Sequence, residues 1–169
     1  IPNIPYPVSF YNFDTRIISH VGSPSGFYYG GIEGLFNFTS VLNINTELKS
    51  LIKAPIYNNF SGLEYDPNRT EVPQVRTDIQ FYLKNQRIVI EELKLNKFLN
   101  LENNQYAFFS FGHLEQMFSG MHMEYLYRPF ENLFSLGFEI SAVKKRDYDQ
   151  KFLNFKEYET VTGHFNFYL

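Results

Sequence analysis

Residues 120–142, GMHMEYLYRPFENLFSLGFEISA, decide the fold. In the second half Phe134, Leu136, Phe138, Ile140 and Ala142 take every other position, with Ser135, Gly137, Glu139 and Ser141 between them. A repeat of two places the apolar side chains on one face of a strand and the polar ones on the other. In the first half Met121, Met123, Tyr125 and Tyr127 alternate with His122, Glu124, Leu126 and Arg128. Pro129 has no amide proton to give to a ladder, so RPFEN is a turn between two strands. The pattern sets Met123, Tyr125, Tyr127, Phe134, Leu136, Phe138 and Ile140 against Glu124, Arg128 and Glu139. It leaves open whether the greasy face meets a packed interior or lipid.

The same period extends in both directions. Val8 to Ile18 reads as a strand ended by Gly22, Pro24 and Gly26, and residues 26–38 and 38–48 read as two more. Residues 54–73, rich in Pro, Asn, Gly and Asp, read as one long loop. Val75, Ile79, Tyr82 and Leu83 then recur at helical spacing and predict one short helix near 73–84. Strands are predicted at Arg87–Leu101, Tyr106–Phe118, Met121–Arg128, Phe134–Ala142 and Glu157–Leu169, with turns at Asn103-Asn104 and Ser119-Gly120. The expected fold is all-β: an antiparallel up-and-down meander of about eight strands in a single domain over 1–169. Several strands run to about 9–13 residues, whereas soluble strands average about 5–6 and tilted transmembrane strands need about 9–11. Length therefore favours lipid, making the meander part or all of a transmembrane β-barrel.

Composition narrows the alternatives. Aromatic residues make up 19% of the chain, 19 Phe and 13 Tyr without Trp, which suits strands and membrane-interface belts alike. The net charge of -3 is spread along the chain, so no basic stripe exists for nucleic acid. With no cysteine there is no disulfide, thiolate chemistry or Cys-based zinc site. No apolar run is long enough for a transmembrane helix. The chain opens IPNIPYP, without Met or an apolar leader, so it reads as a processed product or a piece of a longer barrel protein.

Chemistry-bearing residues are sparse. His113 and Glu115, with His122 and Glu124, could be drawn into a metal site, but no His-x-x-x-His spacing supports one and a solvated strand face gives the same pattern. Glu115, Glu124 and Glu139 could supply paired carboxylates for glycoside chemistry. Isolated strand glutamates are more often solvated or salt-bridged, and neither a G-x-S-x-G elbow nor a phosphate loop accompanies them. No enzyme, cofactor or metal is expected. Lys144, Lys145, Arg146, Asp147, Asp149 and Gln150 form a charged run that reads as a hydrated hairpin tip, or else as loop contacts to polymer or protein. Three N-x-[ST] sequons, at Asn37, Asn59 and Asn68, carry little weight.

The runs VPQVRTDIQFYL, GHLEQMFSGMHMEYLYRPF, VKKRDYDQKF and YETVTGHFNFY, in this order from Val72 to Tyr168, resemble the YjbH/GfcD family of Gram-negative exopolysaccharide and capsule operons. Met121-His122-Met123 stands where the family has a Gly-rich run. The resemblance implies an outer-membrane β-barrel protein without enzyme activity, in a structural or conduit role in exopolysaccharide or capsule biosynthesis and export. Its implied partners are outer-membrane lipid, exopolysaccharide and other secretion-operon proteins. On that reading Glu115, Glu124, Arg128, Glu139 and His164 face the lumen and the glycan, together with Thr160 and Thr162. The rival expectation is a soluble β-barrel or β-sandwich binding module whose stripes point into an apolar interior.

Overall fold

Alternating side chains and tight polar turns draw the chain into one antiparallel meander. The computed structural model describes residues 5–23, 25–64, 75–76, 78–85, 87–130 and 133–169. Eight strands lie in sequence order: β1 (Val8–Ser23), β2 (Gly26–Asn43), β3 (Thr46–Asn58), β4 (Val89–Leu101), β5 (Gln105–His113), β6 (Phe118–Tyr127), β7 (Ser135–Arg146) and β8 (Phe155–Tyr168). Between β3 and β4 lie a 3-10 turn, Phe60–Gly62, and one short helix, α1 (Ile79–Leu83).

The all-β meander stands, but the barrel does not. β1 pairs only with β2 and β8 only with β7, so over the described residues the sheet has two open edges. A lipid-spanning sheet must close, because an unpaired edge leaves backbone amides and carbonyls without partners in hydrocarbon. The unclosed sheet thus overturns the transmembrane barrel and the conduit built on it. Among the described residues no helix is long and apolar enough to cross a membrane either.

Several local expectations also need correcting. β2 runs on through Asn43 in place of two strands meeting near Phe38, and an Asn43 side chain that accepts from the Asn45 amide turns the chain into β3. β3 extends to Asn58, into the stretch expected to be loop. Pro55 fits there because it lies beyond the last β3–β4 pair, Lys53 with Val89, where β3 has only β2 beside it. The expected helix shrinks to Ile79–Leu83, with Pro73, Gln74 and Thr77 outside the described residues. Glu131 and Asn132 of the RPFEN turn, and the sequon at Asn68, also lie outside them.

Ser119 and Gly120 are strand rather than turn. The chain reverses at residues 114–117, where the amides of Leu114 and Glu115 both donate to the Phe118 carbonyl. Gly120 faces Gly112 across β5 and β6, with φ of 156° and 132°. A Cβ at either would lie 2.2 Å from a backbone oxygen, of Ala142 or of Leu93, so only glycine lets neighbouring strands approach this closely.

Register makes the two faces chemically opposite. Leu48, Leu95, Phe111, Met121, Ala142 and Val161 form one unbroken row across β3 to β8 on one face. One residue along, Glu47, Asn96, Ser110, His122, Ser141 and Thr162 form a row on the other. The apolar face is bare: Phe13, Ile17, Phe111, Val161 and Phe165 are among its exposed residues, and no second layer covers it among the described residues. The core lies on the opposite, hollow face and only near one end. There Tyr29, Phe60 and Leu63 form one cluster, and Tyr82 of α1, Met117 and Phe118 form another.

Candidate functional site: the hollow face

The hollow face curls enough for distant strands to meet. Arg16 on β1 reaches across β2 to both Glu33 (2.7 Å) and Glu91 on β4 (2.6 Å), and fully buried Lys53 lies 3.5 Å from Glu33. Hydrogen bonding from Glu91 and then Glu33 raises the Arg16 pKa against the cost of burial. Burial lowers that of Lys53, with Glu33 and Glu91 opposing. Glu91 reaches this face because the register slips between Leu51 and Ile52, leaving it as the extra residue of a bulge.

A second slip, between Lys144 and Arg146, turns two consecutive cations inward. Lys145 pairs with Asp78 beside α1 at 2.7 Å. Arg146 donates to the carbonyls of Glu91 (3.0 Å), Ile90 (2.9 Å), Glu115 (3.2 Å) and Gln150 (3.4 Å). Tyr82 donates to the Arg146 carbonyl, and burial, followed by the nearby Asp78 charge, pushes its phenol well above the usual value and keeps it a donor. α1, Lys145 and Arg146 together plug this end of the hollow.

Toward the other end the hollow is open. A cavity of about 890 Å³ is lined by Glu47 and Lys49 of β3, Glu92, Lys94, Asn96 and Phe98 of β4, Phe108 and Ser110 of β5, His122 and Glu124 of β6, Ser141 and Val143 of β7, and Thr160 and Thr162 of β8. Hydrogen bonds run along its floor: Asn96 donates to Glu47 (3.0 Å), Ser110 donates to Asn96 (2.8 Å), and His122 Nδ1 shares a proton with Ser141 (2.7 Å). The lining lysines and Arg76 are paired, Lys49 with Glu47, Lys94 with Glu92 and Arg76 with Glu115.

At the mouth, one cross-strand row reads Phe98, Phe108, Glu124, Glu139, His164. The two phenyl rings lie 5.0 Å apart, His122 Nε2 is 2.7 Å from Glu124, and His164 Nδ1 is 2.9 Å from Glu139. Ligand atoms of His122, Glu124 and Glu139 all lie within 4.8 Å of one another, the one such group of three among the described residues. The hollow therefore brings Glu115, Glu124 and Glu139 onto one face, with His164 beside Glu139. Arg128 is elsewhere: it follows β6 and lines a separate hollow with Phe130, Leu133 and Tyr168. The charged run divides too. Lys144 pairs with Glu159 on the apolar side and Asp147 with Lys156, and Asp149 is held by Asn154, while Lys145, Arg146 and Gln150 are buried. Sequence reading missed Arg16, Glu33, Lys53 and Glu91; only a buried-looking charge within each strand hints at them.

A family described as exopolysaccharide biosynthesis protein YbjH matches residues 6–169, nearly the whole chain. The chain belongs to the YjbH family. It is also 28% identical over 162 residues to a protein of Escherichia coli (strain K12) described as uncharacterized lipoprotein YjbH. That alignment covers 94% of this chain and 23% of the relative, so the chain spans about a quarter of the relative's length. No solved structure matches. Neither description carries a catalytic activity. The family's description names exopolysaccharide biosynthesis, and the relative's names that protein a lipoprotein.

Proposed function

We propose that this chain is a glycan-contacting module of exopolysaccharide or capsule production, using the hollow face for polymer and the apolar face for lipid of the outer membrane. The observation that carries the reading is the open cavity. It joins a floor of amide, hydroxyl and imidazole groups to the Phe98–Phe108 pair, a combination that offers hydrogen bonds to sugar hydroxyls and a flat apolar surface to sugar rings. With its lysines paired and Glu124 and Glu139 facing each other, the cavity suits an uncharged polymer better than a polyanion. Glu115, Glu124, Glu139 and His164 are its proposed polar contacts.

The unclosed sheet stands closer to the rival expectation of a binding module than to a conduit, with one change: the buried apolar clusters lie at the plugged end, and the open cavity mixes polar side chains with Phe98, Phe108 and Val143. The bare apolar face supports a lipid partner, since exposed patches of this extent mark an interaction surface. The sheet's two edges would lie where water or further chain can satisfy their backbone groups.

Calorimetric titration of the protein, carrying its native flanking sequence, with oligosaccharides cut from the producing strain's exopolymer tests the glycan reading. Phe108→Ala is expected to weaken binding about tenfold, or about 1.4 kcal/mol. Absence of binding, or equal binding by the variant, rejects it.

A further inference from the structure

The cavity mouth carries a feature that polymer contact does not explain. Glu124 and Glu139 are directly opposite on β6 and β7, where like charges destabilise a strand pair. Among the described residues their ion-pair partners are imidazoles alone, His122 for Glu124 and His164 for Glu139. Elsewhere on this face the sheet meets glutamate with lysine or arginine: Glu33 and Glu91 have Arg16, Glu92 has Lys94 and Glu115 has Arg76. At this row and the one beside it, the sheet has gathered two carboxylates and two imidazoles instead.

We propose that His122 Nε2, Glu124 and Glu139 bind a divalent first-row metal ion of the zinc class. Imidazole nitrogen and carboxylate oxygen are the donors such ions take at 2.0–2.2 Å, which sets neighbouring ligand atoms about 3.3 Å apart in a tetrahedron. The three donor atoms already lie within 4.8 Å of one another. The 2.7 Å contact between His122 and Glu124 has only to open by about 0.6 Å, and the Glu124 side chain is 52% exposed and free to give. The surrounding contacts are those a metal site needs. With a metal on Nε2, His122 carries its proton on Nδ1 and donates it to the Ser141 hydroxyl, 2.7 Å away, which fixes the tautomer and the ring plane. His164, 2.9 Å from Glu139, orients the second carboxylate in the same way. Three protein ligands leave one coordination position facing the cavity. The period-two pattern drew His113 and Glu115 into the candidate group, but neither belongs to it. His113 is buried against Ser119 and Phe152, and Glu115 is paired with Arg76.

Titration with Co²⁺ alone, followed by its visible ligand-field absorption and by calorimetric competition with Zn²⁺, tests this without any glycan. The expected result is one ion per chain with the intense bands of a low-coordinate site. His122→Ala and Glu139→Gln are each expected to lower affinity by about 100-fold or more, and Ser141→Ala, which keeps all three ligands, by about tenfold. Should a ligand variant fail to keep its strand circular dichroism, the Ser141→Ala comparison decides. His20→Ala, far from the row, is expected to leave binding unchanged. No Co²⁺ binding by the unaltered protein, or binding that survives His122→Ala and Glu139→Gln or is insensitive to Ser141→Ala, overturns the proposal.

Discussion

At one end of the hollow face the charges are buried and tied to distant strands; at the other they are half-exposed and tied only to neighbours. Glu91 shows the first arrangement: its carboxylate holds Arg16 of β1 and its carbonyl accepts from Arg146 of β7, so one residue of β4 fastens both flanks of the sheet. Glu124 and Glu139 show the second, each held by one imidazole on its own or an adjacent strand. Charges taken out of water persist only when geometry supplies several partners, and those partners fix the fold. Charges left at a cavity mouth contribute little to stability and remain available to a ligand. Phe118 of β6 belongs to both ends, packing with Tyr82 and Met117 in the plug and lining the open cavity.

The sharpest way to break that contrast is Arg146→Met. The side chain is fully buried, and its loss leaves carbonyls of Ile90, Glu91, Glu115 and Gln150 without their donor. Stranded acceptors of this kind cost about 1–3 kcal/mol each before relaxation, so a net loss of about 3 kcal/mol or more is expected. For a chain of this size that lowers Tm by about 6–12 °C in a thermal unfolding scan. A change within about 1 °C would show that the plug is ornamental and that both ends are held by the sheet alone.

His113, at the plugged end, gives the contrast a pH dependence. It is 5% exposed, bonded to Ser119 and packed edge-on against Phe152. Burial first, and the Arg146 charge second, lower its pKa below the ordinary imidazole value. Below about pH 6.5 the unfolded chain therefore binds a proton that the folded chain refuses. Its contribution to stability is complete above that pH and declines as pH falls through it toward the lower folded value. Measured as Tm against pH between about 5 and 7, the decline is expected to be shallower in His113→Asn, whose amide keeps a polar contact to Ser119 without titrating. Equal slopes in the two proteins would remove His113 from the account.

The two ends differ in how far the sequence discloses them. The open end was legible: strict alternation through EYLYRPF and FSLGFEI places Glu124 and Glu139 on one face, and the HFNF alternation adds His164. The plug was not, because it is built where alternation fails. Glu91 faces Arg16 only through a bulge, and Lys145 and Arg146 both turn inward only through a register slip, so a period of two assigns at least one of each pair to the wrong face. A dense run of charged residues reads as a wet hairpin tip until the distant Asp78 and the bare carbonyls of β4 are known. Closure was illegible for a different reason. A polar face and an apolar face specify how each strand is rotated but say nothing about whether β1 meets β8, which depends on sheet curvature and strand number. Strand length misled for the same reason, since the 16 residues of β1 and 18 of β2 fit an extended open sheet as well as a spanning one.

Glu139→Gln at the open end carries the smallest expected effect and sharpens the contrast most. In metal-free buffer the substitution removes one of two carboxylates set directly opposite each other, and it keeps the shape and the acceptor that His164 uses. The lost attraction to an exposed imidazole and the relieved repulsion from Glu124 are each worth about 0.2–1 kcal/mol and oppose one another. Unfolding in urea is therefore expected to move by no more than about 0.5 kcal/mol in either direction. A loss approaching that of Arg146→Met would mean that the mouth of the cavity is as structural as its plugged end. A small change, set beside a large loss of Co²⁺ affinity in the same variant, would separate the two ends by what they do: one holds eight strands in a curl, the other leaves its charge to a ligand.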